Sequence, residues 1–369
     1  MTVNPPISSV KIGGNNVSEK SIPPLKCFAF QNTTEQAWWD KTGPLLAKIL
    51  QSAQYSVQDH SMAPPTARIG WEPVSQKSGS PADPINHDTI SRAIDTMTQL
   101  NLKGFDTKFL HHMIGSLTAT PAEAAEVDRD QLYLLRMKNQ VSFGLDLKGG
   151  EVSVKCYLYP ALKSYLTGNS YRKLLDGAIQ SLGDEVSYPA LDTIHEYLEG
   201  AGMYNQYSFL GIDCTGVSKS RLKIYNTIQD VTWSKLQDIW TLGGRFGSHA
   251  TTQRGLQFIQ QFWQLLTSDQ DKMAVGIWSY ELAPGSTDFP NPKYYFIMHG
   301  MNDMENAQAI VKFYDSIGWH DLAASYIDSV KGYFPNFESG ETSNLIQYVS
   351  MAYSEKTGVY LSVYYHSSL

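Results

Sequence analysis

The sequence predicts an α+β fold: an antiparallel ten-stranded β-barrel with a solvent-filled lumen, ringed by α-helices in ααββ units. Three observations lead there. Several segments alternate strictly, with apolar residues on one face and Lys, Arg and Tyr on the other. Their tyrosines, Tyr157, Tyr225, Tyr295 and Tyr364, are separated by 68, 70 and 69 residues, a regular internal period. Two helical patterns fill most of the intervals between them. A chain of 369 residues with 42% hydrophobic content has enough apolar mass for a core of this size.

Taken in order, residues 1–30 are polar and dotted with proline, and are expected to precede a single barrel domain over residues 31–369. A weaker first unit runs from Thr34 to about Met97. The turn Lys148-Gly-Gly-Glu151 then joins two strands tightly, which makes them antiparallel. In the second of these, residues 152–159, Val152, Val154, Cys156 and Leu158 share one face and Ser153, Lys155, Tyr157 and Tyr159 the other. Helical patterns at 170–182 and 191–201 precede strands containing Phe209 and Tyr225. In Arg221-Leu-Lys223-Ile-Tyr225, Leu222 and Ile224 face away from the two cations and the phenol. Patterns at 233–242 and 251–267 precede strands containing Trp278 and Lys293-Tyr-Tyr295. Patterns at 306–317 and 322–334 precede a hairpin of 346–353 and 359–364, joined by Glu355-Lys-Thr-Gly358. About five such units supply roughly ten strands, enough to close a barrel with space inside. The apolar faces must meet the helices, so Lys155, Tyr157, Arg221, Lys223, Tyr225, Lys293, Tyr295 and Tyr364 are expected to face the lumen.

Composition excludes several functions. A net charge of −7 provides no field for nucleic acid. No apolar run is long enough to span a bilayer and no signal pattern opens the chain, so no membrane association is expected and the cytoplasm is the expected compartment. Cys27, Cys156 and Cys214 lie far apart and read as reduced structural residues. Neither G-x-G-x-x-G nor G-x-x-x-x-G-K-[ST] occurs. His111 and His112 are adjacent and point to different faces of a helix, and Asn302-Asp-Met-Glu-Asn306 reads as a helix cap with an acidic first turn. No aspartate-rich motif is present, so the expectation is no cofactor and no requirement for Mg²⁺.

Cations converging in one lumen repel one another, which calls for a polyanion such as a small diphosphate to neutralise them. The tyrosines offer phenolic donors to phosphate oxygens and ring faces to a cation. That pairing suits ionisation of an allylic diphosphate beside an aromatic nucleophile.

These residues resemble the fungal indole prenyltransferases of the dimethylallyltryptophan synthase type over nearly the whole chain. The resemblance rests on Trp38-Trp39 with Tyr55, Gly79-Ser-Pro81, Leu145-Asp-Leu-Lys148, Lys155-Cys-Tyr157 with Pro160, Arg221-Leu-Lys223-Ile-Tyr225, Trp240-Thr-Leu-Gly-Gly-Arg245 and Lys293-Tyr-Tyr295. It implies the ABBA barrel and metal-independent transfer of a prenyl group, dimethylallyl or longer, to an aromatic, indole-type small molecule in fungal alkaloid biosynthesis. It implies that Lys155, Arg221, Lys223 and Lys293 hold the diphosphate while Tyr157, Tyr225, Tyr295 and Tyr364 shield the allylic cation or touch the diphosphate. Lys293 stands where relatives often carry a neutral amide. The family's early-strand arginine points to Arg92, the nearest arginine in Ser91-Arg-Ala-Ile-Asp95.

At the acceptor end, Asp83 stands where indole enzymes usually place a glutamate that accepts the indole N–H, and is the expected catalytic carboxylate; read from its own context, Pro81-Ala-Asp-Pro84, it is equally a turn residue. Ser142 stands where C4-prenylating members carry a lysine, which argues against ordinary C4 prenylation of tryptophan. The segment from Gln58 to Trp71 is shorter than in relatives. The alternative enzyme class is a terpene cyclase or another allylic-diphosphate-processing enzyme on the same barrel, and a non-enzymatic alternative is a carrier of prenylated or aromatic molecules. A monomer or a homodimer is expected.

Overall fold

The computed structural model describes residues 2–3, 67–71, 83–125, 140–148, 151–267, 272–286, 290–334, 337 and 342–366. Its centre is one curled antiparallel sheet. The strands are β1 (Thr2–Val3), β2 (Ala67–Trp71), β3 (Val141–Lys148), β4 (Glu151–Leu158), β5 (Phe209–Asp213), β6 (Leu222–Thr232), β7 (Lys272–Leu282), β8 (Asn291–Ile297), β9 (Ile346–Ser354) and β10 (Gly358–Tyr365). From β2 to β10 each pairs with the next in chain order, and β1 pairs with both β10 and β2. Two residues of the N-terminal polar segment therefore belong to the sheet.

The paired helices fall where the 3.6-residue patterns place them, at Tyr171–Gln180 with Leu191–Gly200, Trp233–Trp240 with Ala250–Leu266, and Asp303–Ser316 with His320–Tyr333. The first helix of each pair starts at a side chain that accepts orphan backbone N–H groups. Ser170 accepts from Lys173, Thr232 from Lys235, and Asn302 from both Met304 and Glu305. Helix Thr107–Leu117 carries His111 exposed and His112 hydrogen-bonded to the Ala178 carbonyl.

The strand faces predicted to be apolar form the core with these helices. Val154, Cys156, Leu158, Leu222, Ile224, Phe296, Val349 and Val363 are all buried in one cluster with Leu175, Ile194, Ile259 and Phe313. Phe262, on helix Ala250–Leu266, meets Phe296 of β8 at 4.9 Å and Phe313 at 5.2 Å, both edge-on. Truncating such a ring costs about 3–5 kcal/mol. Cys156 and Cys214 are buried free thiols.

The Thr241-Leu-Gly-Gly-Arg245 motif ends a helix and does not line the cavity described below. Leu242, Gly243 and Gly244 all have left-handed backbone, φ 53°, 67° and 81°, which glycine adopts without a Cβ clash. A Cβ on Gly243 would also meet the Tyr197 ring at 2.9 Å. Strand β2 was not foreseen: it is five residues long, contains Gly70 and is flanked by Pro64, Pro65 and Pro73, so its periodic signal is short. Trp38, Trp39, Tyr55, Gly79-Ser-Pro81 and Cys27 lie outside the described residues.

Candidate active site

Register brings the predicted cations together. Lys155 on β4 pairs directly with Asp213 on β5, and Lys223 on β6 with Glu281 on β7. Lys293 on β8 occupies the third equivalent position, opposite Ala352 on β9. Cross-strand partners project to the same side of a sheet, so these charges meet inside its curve. They surround a cavity of about 490 Å³ whose lining includes Asp146, Lys155, Arg221, Lys223, Glu281 and Lys293.

The cluster differs from the expected one in a basic respect: Lys155, Arg221 and Lys223 are already paired with carboxylates. Lys155 Nζ lies 2.6 Å from Asp213 and 3.2 Å from Asp146. Arg221 donates from Nε to Asp213 at 2.7 Å and from Nη1 to Glu281 at 3.1 Å. Lys223 Nζ lies 2.8 Å from the other Glu281 oxygen. Charge therefore alternates along these contacts as Asp146, Lys155, Asp213, Arg221, Glu281, Lys223. A polyanion is not needed to hold the cations together. The carboxylates have their own sequence period: Asp146, Asp213 and Glu281 are 67 and 68 residues apart. That signal could have revealed them beside the tyrosines.

The charges respond as this packing requires. Burial lowers the Lys223 ammonium to about 8, helped by the charges of Lys155 and Arg221 and opposed by Glu281. Burial acts to raise Glu281, but the charges of Lys223 and Arg221 override it and hold the carboxyl down at about 2. Asp213 is held well below the usual carboxylate range: Lys155 and Arg221 overcome its desolvation. Lys293 differs from the others in its setting, 4.6 Å above the Tyr360 ring and 5.5 Å from that of Tyr295.

Next to this cluster the tyrosines form an arc. Tyr157 to Tyr225, Tyr225 to Tyr295 and Tyr295 to Tyr364 have ring centroids 6.0, 6.0 and 5.9 Å apart. Phe209 stacks on Tyr225 at 4.3 Å. Gly211, between Tyr157 and Lys223 in register, permits this approach, because a Cβ there would meet Tyr225 at 3.1 Å and Tyr157 at 3.4 Å. Burial pushes the Tyr295 phenol well above its ordinary value, which keeps it protonated. Farther along, the Ser142 and Tyr159 hydroxyls hydrogen-bond at 2.9 Å.

Two expected residues are placed elsewhere. Asp83 is 3% exposed, and its carboxylate accepts from the Asp88 N–H at 3.2 Å, the Thr89 N–H at 3.1 Å and the Thr89 hydroxyl at 2.7 Å. It thus serves as a capping group at the start of helix His87–Gln99, the placement that its reading as a turn residue describes. Arg92 is exposed on that same helix and donates to the Asp88 carbonyl at 3.3 Å, so its helical position removes it from the cluster. On β2, Arg68 stands in backbone register with Asp146.

A family model described as tryptophan dimethylallyltransferase matches residues 58–329. The chain belongs to that family. It is 35% identical to prenyltransferase malE of Malbranchea aurantiaca over 90% of this chain and 88% of that one. It is 37% identical to prenyltransferase phqJ of Penicillium fellutanum, covering 86% of this chain and 89% of the relative. Among solved structures, NotF prenyltransferase superposes with a TM-score of 0.84 at 30% identity, covering 93% of this chain and 97% of that one. NotF has also been solved in complex with brevianamide F and DMSPP, with a TM-score of 0.82.

Proposed function

We propose that this protein is an aromatic prenyltransferase that transfers a prenyl group, dimethylallyl or longer, from an allylic diphosphate to an indole-type acceptor in fungal alkaloid biosynthesis. The observation that carries the reading is a cavity lined by Lys155, Arg221, Lys223 and Lys293 together with Tyr295, which joins it to the arc of Tyr157, Tyr225 and Tyr364, in a chain whose relatives are prenyltransferases. Brevianamide F and DMSPP bound together in NotF, a near structural relative, support the pairing of donor and acceptor.

In the proposed reaction the diphosphate sits among the cations. The allylic C–O bond breaks with its electron pair leaving on the diphosphate, where Lys155, Arg221, Lys223 and Lys293 stabilise the developing charge. The faces of Tyr157, Tyr225, Tyr295 and Tyr364 shield the allylic cation from water, each worth about 0.5–2 kcal/mol. A π pair of the acceptor ring forms the new bond to carbon, and transfer of the ring proton to water or to the released diphosphate restores aromaticity. We take Arg68, in backbone register with Asp146, as the candidate early-strand arginine. The cations would do the work a metal does on the leaving group, so turnover without Mg²⁺ is the expectation.

The pairing of β1 with both β10 and β2 supports a closed ten-stranded ABBA barrel with a solvent-filled lumen. We take residues 31–369, joined by β1, as one domain that works in the cytoplasm as a monomer or homodimer. Among the described residues no helix is long and apolar enough to cross a membrane. Incubation with dimethylallyl, geranyl and farnesyl diphosphates, with and without a panel of indoles, tests the reading. Prenylated indole with release of pyrophosphate is expected. Cyclised or hydrolysed prenyl product alone, with every indole left unmodified, would overturn it in favour of a cyclase.

A further inference from the structure

The carboxylates within the cation row have no part in the chemistry described so far. Glu281 is the most informative of them, because its two oxygens divide between Arg221 Nη1 at 3.1 Å and Lys223 Nζ at 2.8 Å. It lines the same cavity as both cations and pairs with Lys223 in register. We propose that Glu281 is a positioning residue for the donor: it fixes Arg221 and Lys223 at one wall of the cavity and keeps Lys223 an ammonium ready for the diphosphate. This inference rests on the prenyltransferase reading of the site.

The argument is electrostatic. The charges around the cavity that Lys223 shares are the cations Lys155 from β4, Arg221 just before β6 and Lys293 from β8, and the carboxylates Asp146 from β3, Asp213 from β5 and Glu281 from β7. Asp146 and Asp213 are engaged with Lys155, and Asp213 also with Arg221. Glu281 is the carboxylate in contact with Lys223. Without it, burial and two neighbouring cations would favour the neutral amine, which binds a diphosphate weakly. The carboxylate thus has two opposed effects on an incoming anion, competition for the cations and maintenance of their charge. The proposal states that the second dominates.

The experiment compares wild type with Glu281→Gln and Glu281→Asp, reading kcat/KM for dimethylallyl diphosphate from pH 6 to 9.5 and binding of inorganic pyrophosphate by calorimetry. In Glu281→Gln the alkaline limb should move toward acid by about one pH unit or more, with donor KM at pH 8 raised on the order of tenfold and largely restored at pH 6. Glu281→Asp, which keeps the charge, should return the limb toward wild type. A Lys223→Met background should abolish most of the Glu281→Gln effect, a readout that holds even if either substitution costs stability. Equal or tighter pyrophosphate binding in Glu281→Gln, with an unmoved alkaline limb, would show that the carboxylate merely competes and would overturn the proposal. A wild-type protein that binds no pyrophosphate and turns over no allylic diphosphate would instead overturn the donor-site reading, and this inference with it.

Discussion

Removal of Lys223 is the sharpest probe of the cation row. Lys223→Ala deletes an ammonium that lines the cavity and lies 2.8 Å from Glu281, while Arg221 stays on the other Glu281 oxygen at 3.1 Å. Glu281 therefore keeps a cation, and β6 keeps the outward Leu222 and Ile224 that anchor it in the core. The expected damage is chemical: one charge-assisted contact to the departing diphosphate, about 2–4 kcal/mol, corresponds to roughly 30- to 1000-fold in kcat/KM. Chromatographic assay of prenyl transfer, alongside a thermal melt to verify folding, measures both quantities. Wild-type transfer with every donor the parent accepts, in a folded variant, would mean that the polar face of β6 does not touch the diphosphate, and the reasoning from strand alternation would fail.

Other outcomes follow from the same geometry. With Lys223 lowered to about 8 in the free protein, kcat/KM for the donor should fall as pH rises through that value, while acceptor saturation is unaffected. Tyr225→Leu should slow single-turnover transfer about 2- to 30-fold through loss of a ring face, with Tyr225→Phe close to wild type. Asp83→Asn should lower stability by about 1–2 kcal/mol as a weakened cap while folded protein retains its transfer rate; a large loss of acceptor use at unchanged melting temperature would restore Asp83 to the site. Turnover should continue in excess EDTA, and complete loss rescued by Mg²⁺ would refute the side-chain mechanism. The Glu281 ion pairs stabilise the fold fully above its ordinary value of 4.5 and lose that contribution as pH falls toward 2, so Glu281→Gln should flatten this acid limb in a pH-dependent melt.

The sequence by itself determined the repeating unit and the inner face of its strands. Alternation has a period of two and helices one of 3.6, so Lys155, Tyr157, Lys223 and Tyr225 were separated from Val154, Cys156, Leu222 and Ile224 by local pattern alone. The 68- to 70-residue spacing of the tyrosines carried the helix pairs with it, and the caps at Ser170, Thr232 and Asn302 set where the first helix of each pair begins. Tertiary structure decided what depends on register between strands distant in sequence. Only that register sets Asp213 against Lys155, Glu281 against Lys223 and Ala352 against Lys293, so the neutralised charge row could not be read from any one segment. It likewise moved Asp83 into a helix cap and Arg92 onto an exposed helix, and brought Arg68 opposite Asp146. The physical reason is range: side-chain alternation acts between neighbours a few ångströms apart along the chain, whereas ion pairing is selected by the closing of the sheet, which joins residues some seventy positions apart.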